Sequence, residues 1–269
     1  MSEYSTTEVL HPLNPSMFET SLVAIRSGNF QITHDGTVVD MHGKLGAGGT
    51  KTVHDASVDG ESVALALPNT NDGTDVALAK WQVALNEPKA TDAMREMDFI
   101  VNPVCEVMPV RINDTPFPAI KMTRYQDMPI QIRDGKNHGS SVIENDLFPD
   151  SLSLESFLYG IDGIRSDIAA LIKKGIAVGR DSFNVCITDG QVRLYFNDLA
   201  ATKFESMGPE DAKYYADYYS MLTVGTIVNG MSHEEFQRQH RFFAEEFGYR
   251  GRGYDTLTDL VMAELDQAA

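Results

Sequence analysis

Basic residues are scarce in this chain. Its 22 Lys and Arg stand against 39 Asp and Glu, a formal net charge of −17. Binding a nucleic acid or an anionic membrane non-specifically needs a basic face that displaces counterions, so both classes are excluded. A local basic pocket stays compatible with that charge. Cysteine is also rare. The two present, Cys105 and Cys186, sit in Val/Ile-rich stretches ("VNPVCEVMPV", "FNVCITDG") and predict buried thiols in strands, and no Cys/His spacing predicts a zinc site. No window reaches about 18 uninterrupted apolar residues, so no membrane span is expected. The stretch "MSEYSTTEVLHPLNPSMFET" has neither a basic start nor an apolar run, and predicts no Sec-type leader. The location this implies is the cytoplasm, or a host cell reached by a route that reads no such signal. Internal repeats and low-complexity tracts are missing as well.

What is present suits a folded enzyme-sized chain: 269 residues, 42% apolar, enough for one large domain or two small ones. The first half reads as strands and turns. "NFQITHDGTVVDM" alternates around Asp35-Gly36, and "TKTVHDASV" and "ESVALALP" flank Asp59-Gly60, both hairpin signals. A helix is predicted from Asp75 to about Asn86, interrupted by Pro88, with a second piece over Ala90 to Met97. The strands "VCEVMPVRI" and "FPAIKMTRY" follow, then a loop carrying "RDGKNHGSS". The second half turns helical. "LSLESFLYGIDGIRSDIAALIKKG" places Leu154, Phe157, Leu158, Ile161, Ile164, Ile168, Leu171 and Ile172 on one stripe, with Gly160 and Gly163 as points open to interruption. A short hairpin, "NVCITDG" and "QVRLYFND", precedes a Tyr- and Phe-rich helical remainder from Pro209. Strands and helices are segregated, so the pattern is α+β in two lobes and not the alternation of a parallel sheet.

Between the strand-like runs lies "GKLGAGGTKTVHDASVDGESVALALPN" (43–69). A P-loop needs G-x-x-x-x-G-K-[ST] between a strand and a helix, so that backbone amides and the helix N-terminus hold the phosphates together. Here Lys51 follows Thr50, and the next residues read as a hairpin. The P-loop reading fails on context. A nucleotide flap requires the reverse: glycines between two antiparallel strands, free of side chains that would obstruct the backbone's approach to phosphate.

Gly46, Ala47, Gly48 and Gly49, followed by Val53 and "VALA", resemble the first three strands of the protein-kinase fold. The third-strand lysine of that family falls on Ala66. Lys51 in "GAGGTKTVH" instead resembles the flap lysine of the with-no-lysine kinases, and a solvent-facing strand lysine is the alternative. Further along, Gly179-Arg180-Asp181 resembles the catalytic H-R-D, Asn184 the metal-binding Asn, and Asn197-Asp198-Leu199-Ala200 the D-F-G. The departures are Gly179 in the place of the His and an Asn three residues after Asp181, where the family has five. A third is the lack of a lysine after Asp181. "Asp-Ser-Phe-Asn" is also readable as a self-bonded turn, and Asp198 as a cap on the turn after it.

The resemblance, over roughly 40–205, is to the trimmed kinase-like proteins of bacteria, their effectors and phages. It implies a small β-rich lobe over 1–125 and a reduced helical lobe over 126–269. Its implied ligands are ATP and Mg²⁺, with Lys51 and the flap on the phosphates and Asn184 and Asp198 on the metal. Asp181 would serve the acceptor. Glu87, with Glu96 second, would pair the lysine, Ala64 would belong to the nucleotide-binding residues, and Thr123 and Tyr125 would form the hinge. The implied activity is phosphorylation of protein Ser/Thr hydroxyls. A small-molecule kinase and a catalytically inactive nucleotide-binding scaffold are the alternatives.

Overall fold

A computed structural model describes residues 13–124, 127, 131–133, 154–179, 182–188, 191–229 and 255–267. The fold is α+β, in two compact units: 1–88 with 104–124, and 89–103 with 125–269.

The first unit opens with α1 (Pro15–Ser27). Asn14 caps it, its Oδ1 accepting the N–H groups of Ser16 and Met17, and Gly28 closes it at φ 68°. Strands β1 (Ile32–His34), β2 (Thr37–Val38), β3 (Asp40–Ala47), β4 (Lys51–Val58), β5 (Glu61–Pro68), β7 (Cys105–Ile112) and β8 (Thr115–Met122) form one antiparallel sheet, in the order β2-β1-β7-β8-β5-β4-β3. Three two-residue turns build three of its hairpins. Asp35-Gly36, Asp59-Gly60 and Asn113-Asp114 all have positive φ (47° and 84°, 51° and 82°, 45° and 66°). Both central residues lie in the left-handed region, the geometry whose twist matches paired strands. The sheet's core joins Leu65, Leu67 and Ile120 to α1 and to α2 (Thr74–Ala84). The single tryptophan, Trp81, is fully buried there: its ring and that of Phe18 both stack on Phe117, and its Nε1–H donates to Pro118 O at 3.2 Å.

Pro88 does not end a helix; it sits in the first turn of a new one, α3 (Glu87–Glu96), where a missing N–H costs nothing. Ala90 and Met94 of α3 bury with Phe99, Val101, Ile164, Ile168 and Leu194, and this core is what assigns 89–103 to the second unit.

That unit is organised around α4 (Leu154–Lys173), a single helix despite Gly160 and Gly163. Strands β6 (Ile100–Val101), β9 (Gln131–Arg133), β11 (Phe183–Thr188) and β12 (Gln191–Phe196) form a sheet in the order β6-β12-β11-β9. β10 (Ile176–Ala177) pairs with β13 (Lys203–Phe204). Helices α5 (Pro209–Asn229) and α6 (Asp255–Gln267) complete it. α4 is tied to β12 by Asp167, whose carboxylate takes two Arg193 nitrogens at 2.6–3.0 Å and the Leu194 N–H at 2.8 Å. Burial pushes the Asp167 carboxyl up, against the pull of Arg193 and that N–H. Both cysteines are buried and neither forms a disulfide, and burial pushes Cys186 up to about 12, so it is an unreactive thiol at neutral pH. The Tyr-rich stretch lies on α5. Tyr214 is exposed, while Tyr219 is fully buried; its hydroxyl accepts the Val178 N–H and donates to Ile176 O. No described helix is long and apolar enough to cross a membrane.

Candidate functional site

The glycine-rich stretch is the β3–β4 hairpin, with Gly48 to Thr50 at its tip and the Gly48 N–H donating to Lys51 O at 2.9 Å. Gly46, Gly48 and Gly49 all avoid the left-handed region, and a Cβ added at Gly46 or Gly49 meets nothing within 4 Å. Neither backbone strain nor packing among the described residues explains these glycines. Asn69 braces the tip: its Nδ2 donates to Gly48 O at 2.7 Å.

Lys51 is the first residue of β4, and its placement follows from register. Lys51 lies opposite Pro68, Val53 opposite Ala66 and Asp55 opposite Ala64; on the next strand, Ala66 and Ala64 lie opposite Ile120 and Met122. Directly opposed residues share a face, and so do alternate ones along a strand. Lys51, Val53, Ala64 and Ala66 therefore occupy one face of the sheet, with an ammonium-bearing chain starting two pairs along from the alanine at 66. The Lys51 ammonium makes an ion pair with the Glu87 carboxylate, and both side chains are at least nine-tenths buried. Glu87 is the first residue of α3, at the end where exposed backbone N–H groups favour a carboxylate. Glu96, at the other end of α3, is exposed. Asp55 on the same face pairs with Arg124 at 2.9 Å. Thr123 directs its N–H to Val104 O at 3.1 Å, so that amide is not offered to a ligand. Tyr125 lies outside the described residues.

In the second unit, the two candidate metal residues lie on β11 and just past β12. Asn184, buried, lies opposite Tyr195. Asp198 lies two residues past the end of β12, half-buried and in the left-handed region at φ 51° and ψ 49°. The ladder thus offsets Asn184 from Asp198 by three positions, whereas Ser182 bonds Asp198 directly, its Oγ–H donating to the Asp198 carbonyl. Sequence reasoning missed Ser182, because a serine inside "RDSFN" carries no signal of its own. Asp181 lies outside the described residues. A carboxylate and an amide oxygen are hard donors of the kind Mg²⁺ takes together with phosphate oxygens and water, so these residues fit that ion in kind. Among the described residues, no three His, Cys, Asp or Glu side chains gather as a metal site.

His54 stands opposite Lys44 across the flap ladder. Burial first, and the Lys44 charge second, hold its imidazole below the ordinary 6.5.

No protein-family model matches the chain, and no curated protein matches it significantly. The functional reading therefore rests on the site's own chemistry.

Proposed function

We propose that this protein is a Mg²⁺- and ATP-dependent phosphotransferase of protein-kinase-like architecture, acting on Ser/Thr hydroxyls of a protein. The observation that carries the reading is the buried Lys51–Glu87 pair next to the tip of a glycine-rich hairpin. Ion pairs of this kind are weak devices for stability, since the desolvation of both charges offsets most of their attraction. A lysine held in one geometry by a carboxylate is, by contrast, what phosphate binding needs. The flap glycines, unexplained by strain or packing, support the same reading.

In this proposal Lys51 holds the α- and β-phosphate oxygens, Glu87 orients Lys51, and the flap backbone covers the phosphates. Ala64 and Val53 give the base an apolar surface. Asn184 and Asp198 would hold Mg²⁺, which when bound neutralises phosphate charge. Asp181 orients the acceptor hydroxyl and takes its proton. The hydroxyl oxygen bonds to the γ-phosphorus as the bond from that phosphorus to the β–γ bridging oxygen breaks, leaving ADP.

One observation favours a second reading, a nucleotide-binding scaffold without turnover: Asn184 is buried opposite Tyr195 and not beside Asp198. Thermal melting with ATP, with and without Mg²⁺, tests binding first. A shift that needs Mg²⁺ and is lost in Asp198→Ala supports the metal–nucleotide site; no shift at about 100 times any plausible Kd, where binding would add about 2.7 kcal/mol, rejects both readings. Release of γ-labelled phosphate to protein, lost in Asp181→Ala, then separates enzyme from scaffold.

A further inference from the structure

We infer that Ser182 is the positioning residue for Asp198, a role that rests on the metal-binding reading above. Ser182 is buried, 4% exposed, and makes four hydrogen bonds to two separate pieces of chain. Its Oγ–H donates to the Asp198 carbonyl and its Oγ accepts the Gly179 N–H, both at 3.1 Å. Its backbone completes the clasp: its N–H donates to Gly179 O at 3.1 Å, and its carbonyl accepts the Asn197 N–H at 2.8 Å.

Asp198 adopts a left-handed backbone, which Asp takes more readily than most residues, as at Asp35, Asp59 and Asp114, and the hydrogen bond from Ser182 helps to hold it there. The bond from Ser182 is made to the carbonyl of that residue, so it sets the peptide orientation from which the Asp198 side chain departs. The bond is to the backbone carbonyl and not to the carboxylate. Gly179 is part of the same device. A Cβ at 179 would lie 3.1 Å from Ser182 Oγ, tighter than ordinary contact, so a side chain there would shift the hydroxyl by a few tenths of an ångström and loosen its two hydrogen bonds. This gives a physical reason for a glycine directly before Arg180-Asp181.

The clasp acts on metal affinity and not on nucleotide affinity, which belongs to the flap and Lys51. The test titrates Mg²⁺ against the thermal shift at fixed ATP, and separately titrates ATP without metal, for wild type, Ser182→Ala, Ser182→Thr and Gly179→Ala. Expected is a loss of Mg²⁺ affinity of about tenfold in Ser182→Ala, the size seen when an outer partner of a metal ligand is removed. Metal-free ATP affinity stays within about twofold, and Ser182→Thr, which keeps the hydroxyl, recovers most of the loss. Unchanged Mg²⁺ affinity in Ser182→Ala, with a Mg²⁺-dependent shift in wild type, overturns this role and leaves the proposed function standing. No Mg²⁺-dependent shift in wild type overturns both. Should Ser182→Ala not fold, Gly179→Ala decides: weakened Mg²⁺ with intact ATP binding supports the clasp, and wild-type Mg²⁺ affinity overturns it.

Discussion

Lys51 is a buried ammonium and Lys44, seven residues earlier on the same hairpin, is exposed. The two substitutions to alanine should therefore differ sharply. Lys51→Ala takes a counter-ion from a buried carboxylate, which costs about 3–5 kcal/mol, whereas Lys44→Ala should stay within about 0.5 kcal/mol. Trp81, the single tryptophan, lies in the same unit as both lysines, so denaturant unfolding followed by its fluorescence reads the difference. Equal effects would remove Lys51 from any special place in the fold. His54 offers a second test. Because its folded-state affinity for protons is reduced, the unfolded chain takes up a proton first as pH falls. The first unit should then lose stability progressively as pH drops below about 6.5, and His54→Gln should flatten that dependence. Lys44→Ala should also raise the His54 midpoint in an NMR titration, by removing the nearby positive charge.

Among the elements, α4 shows how packing reverses a local preference. In an exposed helix, replacing glycine by alanine gains up to about 1 kcal/mol. At Gly163 an added Cβ would lie 2.5 Å from Val192 O and 2.7 Å from Arg193 Cδ, because the helix lies directly on β12 at that point. Gly163→Ala should therefore destabilise the second unit by about 1–3 kcal/mol, measured by thermal melting, and a gain in stability would contradict the close approach. The same contact explains why α4 continues where its glycines invite a break: Asp167 and Arg193 hold it to the sheet four residues further on. Arg193→Met, which strands the Asp167 carboxylate, should cost about 3–5 kcal/mol, and far less when combined with Asp167→Leu.

At the scale of the whole molecule the net charge of −17 is the governing property. At about 150 mM salt the protein should show no retention on duplex DNA or on anionic vesicles, checked by gel shift and flotation. Tight binding to either would mean that a basic face outweighs the total. The division into two units also has a consequence for measurement. Trp81 reports the first unit alone, so fluorescence and circular dichroism are expected to agree only if both units unfold together.

What the sequence determined by itself is local. Asp-Gly pairs need only the conformational freedom of their own residues, and they set the hairpins at 35–36 and 59–60. Apolar spacing set α4, and the position of Lys51 at the start of a strand just after a glycine-rich turn was legible from the residues around it. What the tertiary structure decided is everything that depends on residues distant in the chain. It chose Glu87 over Glu96 as the partner of Lys51, because Glu87, the first residue of α3, lies beside the start of β4. It set Asn184 opposite Tyr195, and it made Ser182, silent as a letter, the residue that holds Asp198. Propensity and pattern act over a turn or a strand, whereas register and burial exist only once separate segments have met.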